Sequence, residues 1–290
     1  MGTLFESKAA IEPDYMRKKK AVEKRLGREI SREEFERDYL VINGGGGRLS
    51  DTGTSIFDPV LTEIMVSWFS AKGDRVIDPF AGGSVRGIVT GDLERHYSGV
   101  DLRQEQIDAN NEQGQELQPK IMPEWYCGDS MNIQEIAGGE YDFMLTCPPY
   151  GSLEIYSDDP ADISNMSDED FDETYTEIIC RTVSMLKDNR FAVVVVGNYR
   201  DKKGYLRDLV GLTVRAMEKA GARYYNDFIV VTPAGSLPIR AGKAFQSSRK
   251  MGRTHQYALC FIKGDPKKAT ERLGEVEIPD MEQFMEADEE

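Results

Sequence analysis

Histidine, tryptophan and cysteine are scarce in this 290-residue chain, which has two histidines (His96 and His255), two tryptophans and four cysteines. Cys127, Cys147, Cys180 and Cys260 lie far apart with no CxxC pair, a spacing that suits neither a zinc ligand set nor a disulfide scaffold and fits a reducing cytoplasm. Two histidines leave no basis for a His-built metal site, and no metal is expected. Long hydrophobic runs are also missing. No stretch nears the ~20 apolar residues that a membrane span needs, and the longest, such as 191–196, have the length of a strand. The first twenty residues carry no apolar h-region, so neither export nor a membrane partner is expected.

An excess of positive charge is the last absence. The formal net charge is −15, whereas nucleic-acid enzymes usually show a basic footprint. The sum conceals a segregation. Residues 228–264 contain no acid but include Arg240, Lys243, Arg249, Lys250, Arg253 and Lys263, while residues 154–177 hold ten acids and no Lys or Arg. Net charge therefore does not exclude a nucleic-acid partner.

What is present reads as alternating strands and helices. Residues 13–40 predict a helix with a basic patch (Arg17, Lys18, Lys19, Lys20) and a capping box at Ser31 and Glu34, followed by a glycine break at 44–47. In 58–70, Val60, Leu61, Ile64, Met65 and Trp68 recur at helical spacing. Short strands follow at 75–77, 97–100, 125–127, 143–145, 191–196, 228–231 and 257–262, and helices at 103–115, 171–186 and 206–220. This pattern predicts an α/β fold, doubly wound around a mostly parallel seven-stranded sheet. The last two strands, joined by a long loop with no helix, predict an antiparallel hairpin at one edge. The expected organisation is an N-terminal helical extension over 1–54, one catalytic domain over 55–264, and an acidic, flexible tail over 265–290.

Two turns carry the chemistry. The first, Asp78-Pro79-Phe80-Ala81-Gly82-Gly83-Ser84, follows a strand and precedes a helix. In open α/β sheets ligands bind beyond the carboxyl ends of the strands, where glycine permits close backbone approach. The turn is neither a GxGxxG fingerprint nor a P-loop, since no lysine follows it. Asp101, 23 positions after Asp78 at the end of the second strand, is placed to bind ribose hydroxyls. Asp129, followed by Ser130 after the third strand, is placed to accept from an adenine amino group. These strand ends together describe a pocket for an adenosine-containing ligand.

The second turn is Thr146-Cys147-Pro148-Pro149-Tyr150. Two prolines fix its backbone and remove two N–H donors, which leaves carbonyl oxygens exposed beside an aromatic ring. An exocyclic amine on a base is a poor nucleophile, because its lone pair is delocalised into the ring. Oxygen acceptors on its hydrogens favour a pyramidal nitrogen and stabilise the positive charge that develops there. Tyr150 is suited to stacking on a base flipped out of its duplex.

DPFAGG at 78–83 followed by CPPY at 147–150 resembles the DNA amino-methyltransferases, which modify adenine N6 or cytosine N4. The resemblance covers about 55–264. It implies a class I, Rossmann-like methyltransferase domain using S-adenosyl-L-methionine, with Asp78, Phe80, Gly82, Gly83, Asp101, Asp129 and Ser130 as cofactor-binding residues. It further implies Cys147, Pro148, Pro149 and Tyr150 as the catalytic turn. DNA becomes the expected partner ahead of RNA, with Arg240, Lys243, Arg249, Lys250 and Arg253 on its phosphates. The setting implied is site-specific DNA methylation of the restriction-modification kind, by a cytoplasmic enzyme that works alone or as a homodimer. The chain departs from the family at Cys147, where Asp, Asn or Ser is usual. A thiol is a weak acceptor, so this position leaves room for pyrimidine C5 methylation with Cys147 as nucleophile. RNA bases and protein glutamine are the alternative amino-group acceptors, and a binder that has lost activity is the non-enzymatic reading.

Overall fold

In a computed structural model of the chain, the described residues are 57–276 without 154, 202 and 232–236, and their side chains are described except at 152 and 237–240. The expected helix at 13–40, the rest of the 1–54 extension, and residues 277–290 lie outside them.

Helix α1 (Pro59–Phe69) opens the domain. Asp58 caps it by accepting from the Val60 and Leu61 amides, and Pro59 occupies the first turn, where no N–H is needed. Next come β1 (Arg75–Asp78), α2 (Val85–Asp92), β2 (His96–Asp101), α3 (Gln104–Leu117) and β3 (Glu124–Cys127). A short α4 (Ile133–Ile136), β4 (Phe143–Thr146), α5 (Asp168–Ser184) and β5 (Arg190–Val196) complete the parallel part. The sheet order is β3-β2-β1-β4-β5-β9-β8, where β8 is Arg223–Val231 and β9 is His255–Lys263. Strands β3, β2, β1, β4 and β5 are parallel; β9 runs antiparallel to both β5 and β8. The expected doubly wound seven-stranded sheet with an antiparallel edge is therefore present. From β1 the chain winds outward to β3 and then returns to β4 on the other side. The topological switch point falls between β1 and β4, the two strands that lead into the glycine turn and the Pro-Pro turn.

The centre of the sheet is dry. All of β4 and all of β5 except Arg190 are buried, as a strand covered on both faces requires. Helix α5 seals one face with Phe171, Tyr175, Ile178, Ile179 and Val183. Its amino end is held by Ser167, whose hydroxyl accepts from the Asp170 amide. Asp168, Glu169 and Asp170 complement the positive end of the helix dipole. Part of the acidic run is thus structural, since Asp168 and Asp172 also pair with Arg207.

Three segments depart from the sequence reading. The expected loop between the last two strands contains a helix, α7 (Leu237–Ser248). Its Leu237, Ala241, Ala244 and Phe245 recur at helical spacing, but Pro238 and Gly242 within it read as loop signals. Residues 206–207 do not start a helix. They form β7 (Leu206–Arg207), pairing with β6 (Tyr199–Arg200), and α6 (Leu209–Lys219) begins after Asp208, whose side chain accepts from the Gly211 amide. Finally, the tail expected to be flexible begins with an ordered helix, α8 (Pro266–Leu273). Asp265 caps it, Ala269 is buried, and Arg272 reaches Asp74 and Asp142 at the opposite end of the sheet from the site. No helix among the described residues is long and apolar enough to cross a membrane.

Candidate active site at the switch point

Asp78 ends β1 with no exposed surface, and its carboxylate is surrounded by four donors. Oδ1 accepts from the Phe80 amide at 3.0 Å and the Thr146 hydroxyl at 2.6 Å. Oδ2 accepts from Arg86 Nε at 2.7 Å and the Tyr97 hydroxyl at 2.8 Å. These are the lone-pair directions that a carboxylate offers. Asp78, expected among the ligand contacts, is enclosed by its own chain and serves as the hub that ties four elements together. Arg86, only 5% exposed, extends the hub: its Nη2 donates to the Phe80 carbonyl at 2.6 Å and the Ala81 carbonyl at 3.0 Å. Burial works against the guanidinium charge, but Asp78 outweighs it and holds Arg86 firmly protonated. Burial, then Asp78, pushes the Tyr97 hydroxyl well above its ordinary range, so it stays a donor.

The hub shapes the glycine turn. Gly82 has φ +51, a left-handed conformation that glycine adopts without steric cost. Its amide donates to Asp101 Oδ2 at 3.0 Å, and its carbonyl accepts from the buried Asn110 Nδ2 at 2.7 Å. A Cβ at Gly82 or Gly83 would meet nothing within 4 Å, so the outer side of this turn is open space. Asp101 borders that space. Its Oδ1 accepts from the Arg103 amide at 2.9 Å, and burial raises its carboxyl above the usual range, partly offset by those amides and by Arg103. Asp129 accepts from the Met131 amide at 2.8 Å, and the Ser130 hydroxyl donates to the Pro79 carbonyl at 2.6 Å. The third strand end is thereby stitched to the glycine turn. Phe80 stacks on Tyr175 at 5.9 Å, which continues onto Phe171 at 5.8 Å.

The Pro-Pro turn is fastened at both ends. At one end Thr146 hangs from Asp78. At the other, the Tyr150 hydroxyl accepts from Gln256 Nε2 at 2.6 Å, and its ring lies edge-on to Tyr199 at 6.1 Å. Burial raises the Tyr150 hydroxyl well above its ordinary range and keeps it protonated. Cys147 is half-buried against the apolar cluster that includes Met65, Phe143 and Val193, and Pro148 is buried. The two turns are thus one assembly, joined by the Thr146–Asp78 hydrogen bond.

Of the expected basic contacts, Lys243 and Arg249 are exposed on and just after α7, and Arg253 is exposed ahead of β9. Lys250 is half-buried, and the Arg240 side chain lies outside the described residues. Because β9 runs antiparallel to β5, this segment sits at the same carboxyl edge as the two turns, and Gln256 links it to Tyr150. Sequence reasoning missed Arg86, Tyr97, Asn110 and Gln256. The one signal available was Arg86 itself, a lone charge in the otherwise uncharged opening of α2.

No family model matches the sequence, and no curated protein matches it. Among solved structures, a methyltransferase from Pyrococcus furiosus is 12% identical, with 88% of this chain and 100% of that one covered and a TM-score of 0.51. TrmN from Thermus thermophilus is 14% identical over 71% of this chain, with a TM-score of 0.49; the match covers 49% of TrmN, about half its length. The fold of this chain is the class I, Rossmann-like methyltransferase fold.

Proposed function

We propose that the protein is an S-adenosylmethionine-dependent DNA methyltransferase acting on an exocyclic amino group, adenine N6 or cytosine N4. The observation that carries this reading is the Thr146–Asp78 hydrogen bond, which fastens the Pro-Pro-Tyr turn to the glycine turn across the switch point. The residues present fit the cofactor. Open space above Gly82 and Gly83 would accommodate it, Asp101 would take its ribose, and Asp129, with Ser130 beside it, would take its adenine. S-adenosylmethionine supplies an electrophilic methyl group on a sulfonium when bound.

The chain's own residues do the rest. Tyr150, held by Gln256 and braced by Tyr199, gives a flipped base a fixed ring to stack on. Backbone carbonyls of 147–149, in a stretch with two prolines and few N–H groups, accept from the amine hydrogens and draw its lone pair out of conjugation. Cys147, a weak acceptor, leaves that work to the carbonyls. The cations on and after α7 hold phosphates.

Incubation with labelled S-adenosylmethionine and DNA, RNA or protein tests the acceptor: label is expected in DNA, and label confined to RNA or protein refutes that part. Tyr150→Ala is expected to abolish transfer while calorimetric cofactor binding persists. Transfer at the parent rate would remove Tyr150 from the site.

A further inference from the structure

The turn between β6 and β7 stands beside the Pro-Pro-Tyr turn, because Tyr199 at the start of β6 packs against Tyr150. Two cations converge on its Gly204. Arg200 Nη1 donates to the Gly204 carbonyl at 2.9 Å. Lys250 lies so close that a Cβ at Gly204 would be 2.8 Å from Lys250 Cε and would collide with the ammonium. Gly204 has φ +92, so the position demands glycine on conformational grounds as well. Among the described residues, neither Arg200 nor Lys250 forms an ion pair, nor do Lys203, Lys243, Arg249 or Arg253 around them. The nearby acid, Asp201, is engaged with the Tyr205 amide instead. Elsewhere the arginines of this domain that are brought close to another element are mostly matched with carboxylates, as Arg86, Arg190, Arg207 and Arg272 are. With no carboxylate paired to either among the described residues, both cations at this turn are open to an anion from outside.

We propose that Arg200 and Lys250 form a phosphate-binding site for the nucleic-acid backbone, with the β6–β7 turn as one jaw and the α7–β9 segment as the other. The sequence pointed only to the second jaw. Tyr150 contacts both jaws, through Tyr199 and Gln256, so a phosphodiester clamped at Gly204 would place the neighbouring nucleotide at the Pro-Pro-Tyr turn. A flipped base needs its flanking phosphates held against recoil, and a guanidinium beside an ammonium does so without reading sequence.

The proposal rests on the nucleic-acid reading above, and the experiment separates the two. Binding of the full-length protein to an unmodified 30-base-pair DNA duplex is measured by fluorescence anisotropy from about 50 to 200 mM salt, with a matched RNA duplex as a second arm. Arg200→Gln/Lys250→Gln is compared with the parent and with a control double variant, Lys120→Gln/Lys219→Gln. The site variant is expected to lose affinity on the order of tenfold, with the salt slope reduced by about one, while the control binds as the parent does. Unchanged affinity and slope in the site variant overturn the phosphate site alone. Failure of the parent to bind either duplex overturns the nucleic-acid reading and this site with it. Calorimetric S-adenosylmethionine binding equal in all three proteins confirms that the folded site is intact.

Discussion

Replacing Asp78 by asparagine preserves the shape of the side chain and removes its charge. The four donors around it come in two pairs, the Phe80 amide with Thr146 on one oxygen and Arg86 with Tyr97 on the other. Asparagine offers one acceptor oxygen and must turn its NH2 toward one pair. If the NH2 faces the first pair, it meets the Phe80 N–H, which cannot rotate away; if it faces the second, it meets a buried guanidinium. In both cases Arg86 loses its carboxylate while fully enclosed. Breaking a buried pair by removing one partner costs about 3–5 kcal/mol, a large share of a typical 5–15 kcal/mol stability. Urea unfolding is expected to show stability lowered by that amount, read as a fall in midpoint at unchanged slope. In a double-mutant cycle, Asp78→Asn/Arg86→Met is expected to be less destabilised than the sum of the single variants, by about 2 kcal/mol or more, because the stranded cation is gone. An Asp78→Asn protein within about 1 kcal/mol of the parent, or a strictly additive double variant, would refute the hub.

Two further outcomes follow from the same geometry. Gly82→Ala places a Cβ in the open space above the turn and forces a side chain into φ +51, at a strain of about 1–2 kcal/mol. S-adenosylmethionine affinity measured by calorimetry is expected to fall more than tenfold, and parent-like affinity would place the cofactor elsewhere. Asp142 is pulled in two directions. Burial raises its carboxyl, but Lys187 and Arg190 outweigh burial and leave it lowered. Its contribution is therefore present above the unfolded carboxyl value of about 4 and is lost as pH falls through the lower folded value. The stability gap between the parent and Asp142→Asn is expected to be full at pH 7 and to close as pH drops below about 4. A gap that holds at low pH would show that packing, not charge, accounts for Asp142.

The sequence by itself determined the layer architecture, because strand-length apolar runs alternating with helices leave few ways to bury both faces of a sheet. It also identified the two turns, since DPFAGG and CPPY are contiguous and their glycine and proline content speaks locally. The α7 helix was not legible, because Pro238 and Gly242 read as loop signals, and neither was α8, whose anchor is the Arg272 contact with Asp74, 198 residues away in the chain. The enclosure of Asp78 was not legible for the same reason. Nothing near it in sequence shows that Tyr97 and Thr146 would close around its oxygens, 19 and 68 residues on, and make it a buried hub. Gln256 meets Tyr150 across 106 residues, and Lys250 reaches Gly204 only because β9 runs antiparallel to β5. A hydrogen bond between distant residues has no periodicity to read. Chain chemistry specified the turns, and only the sheet order decided which side chains would meet between them.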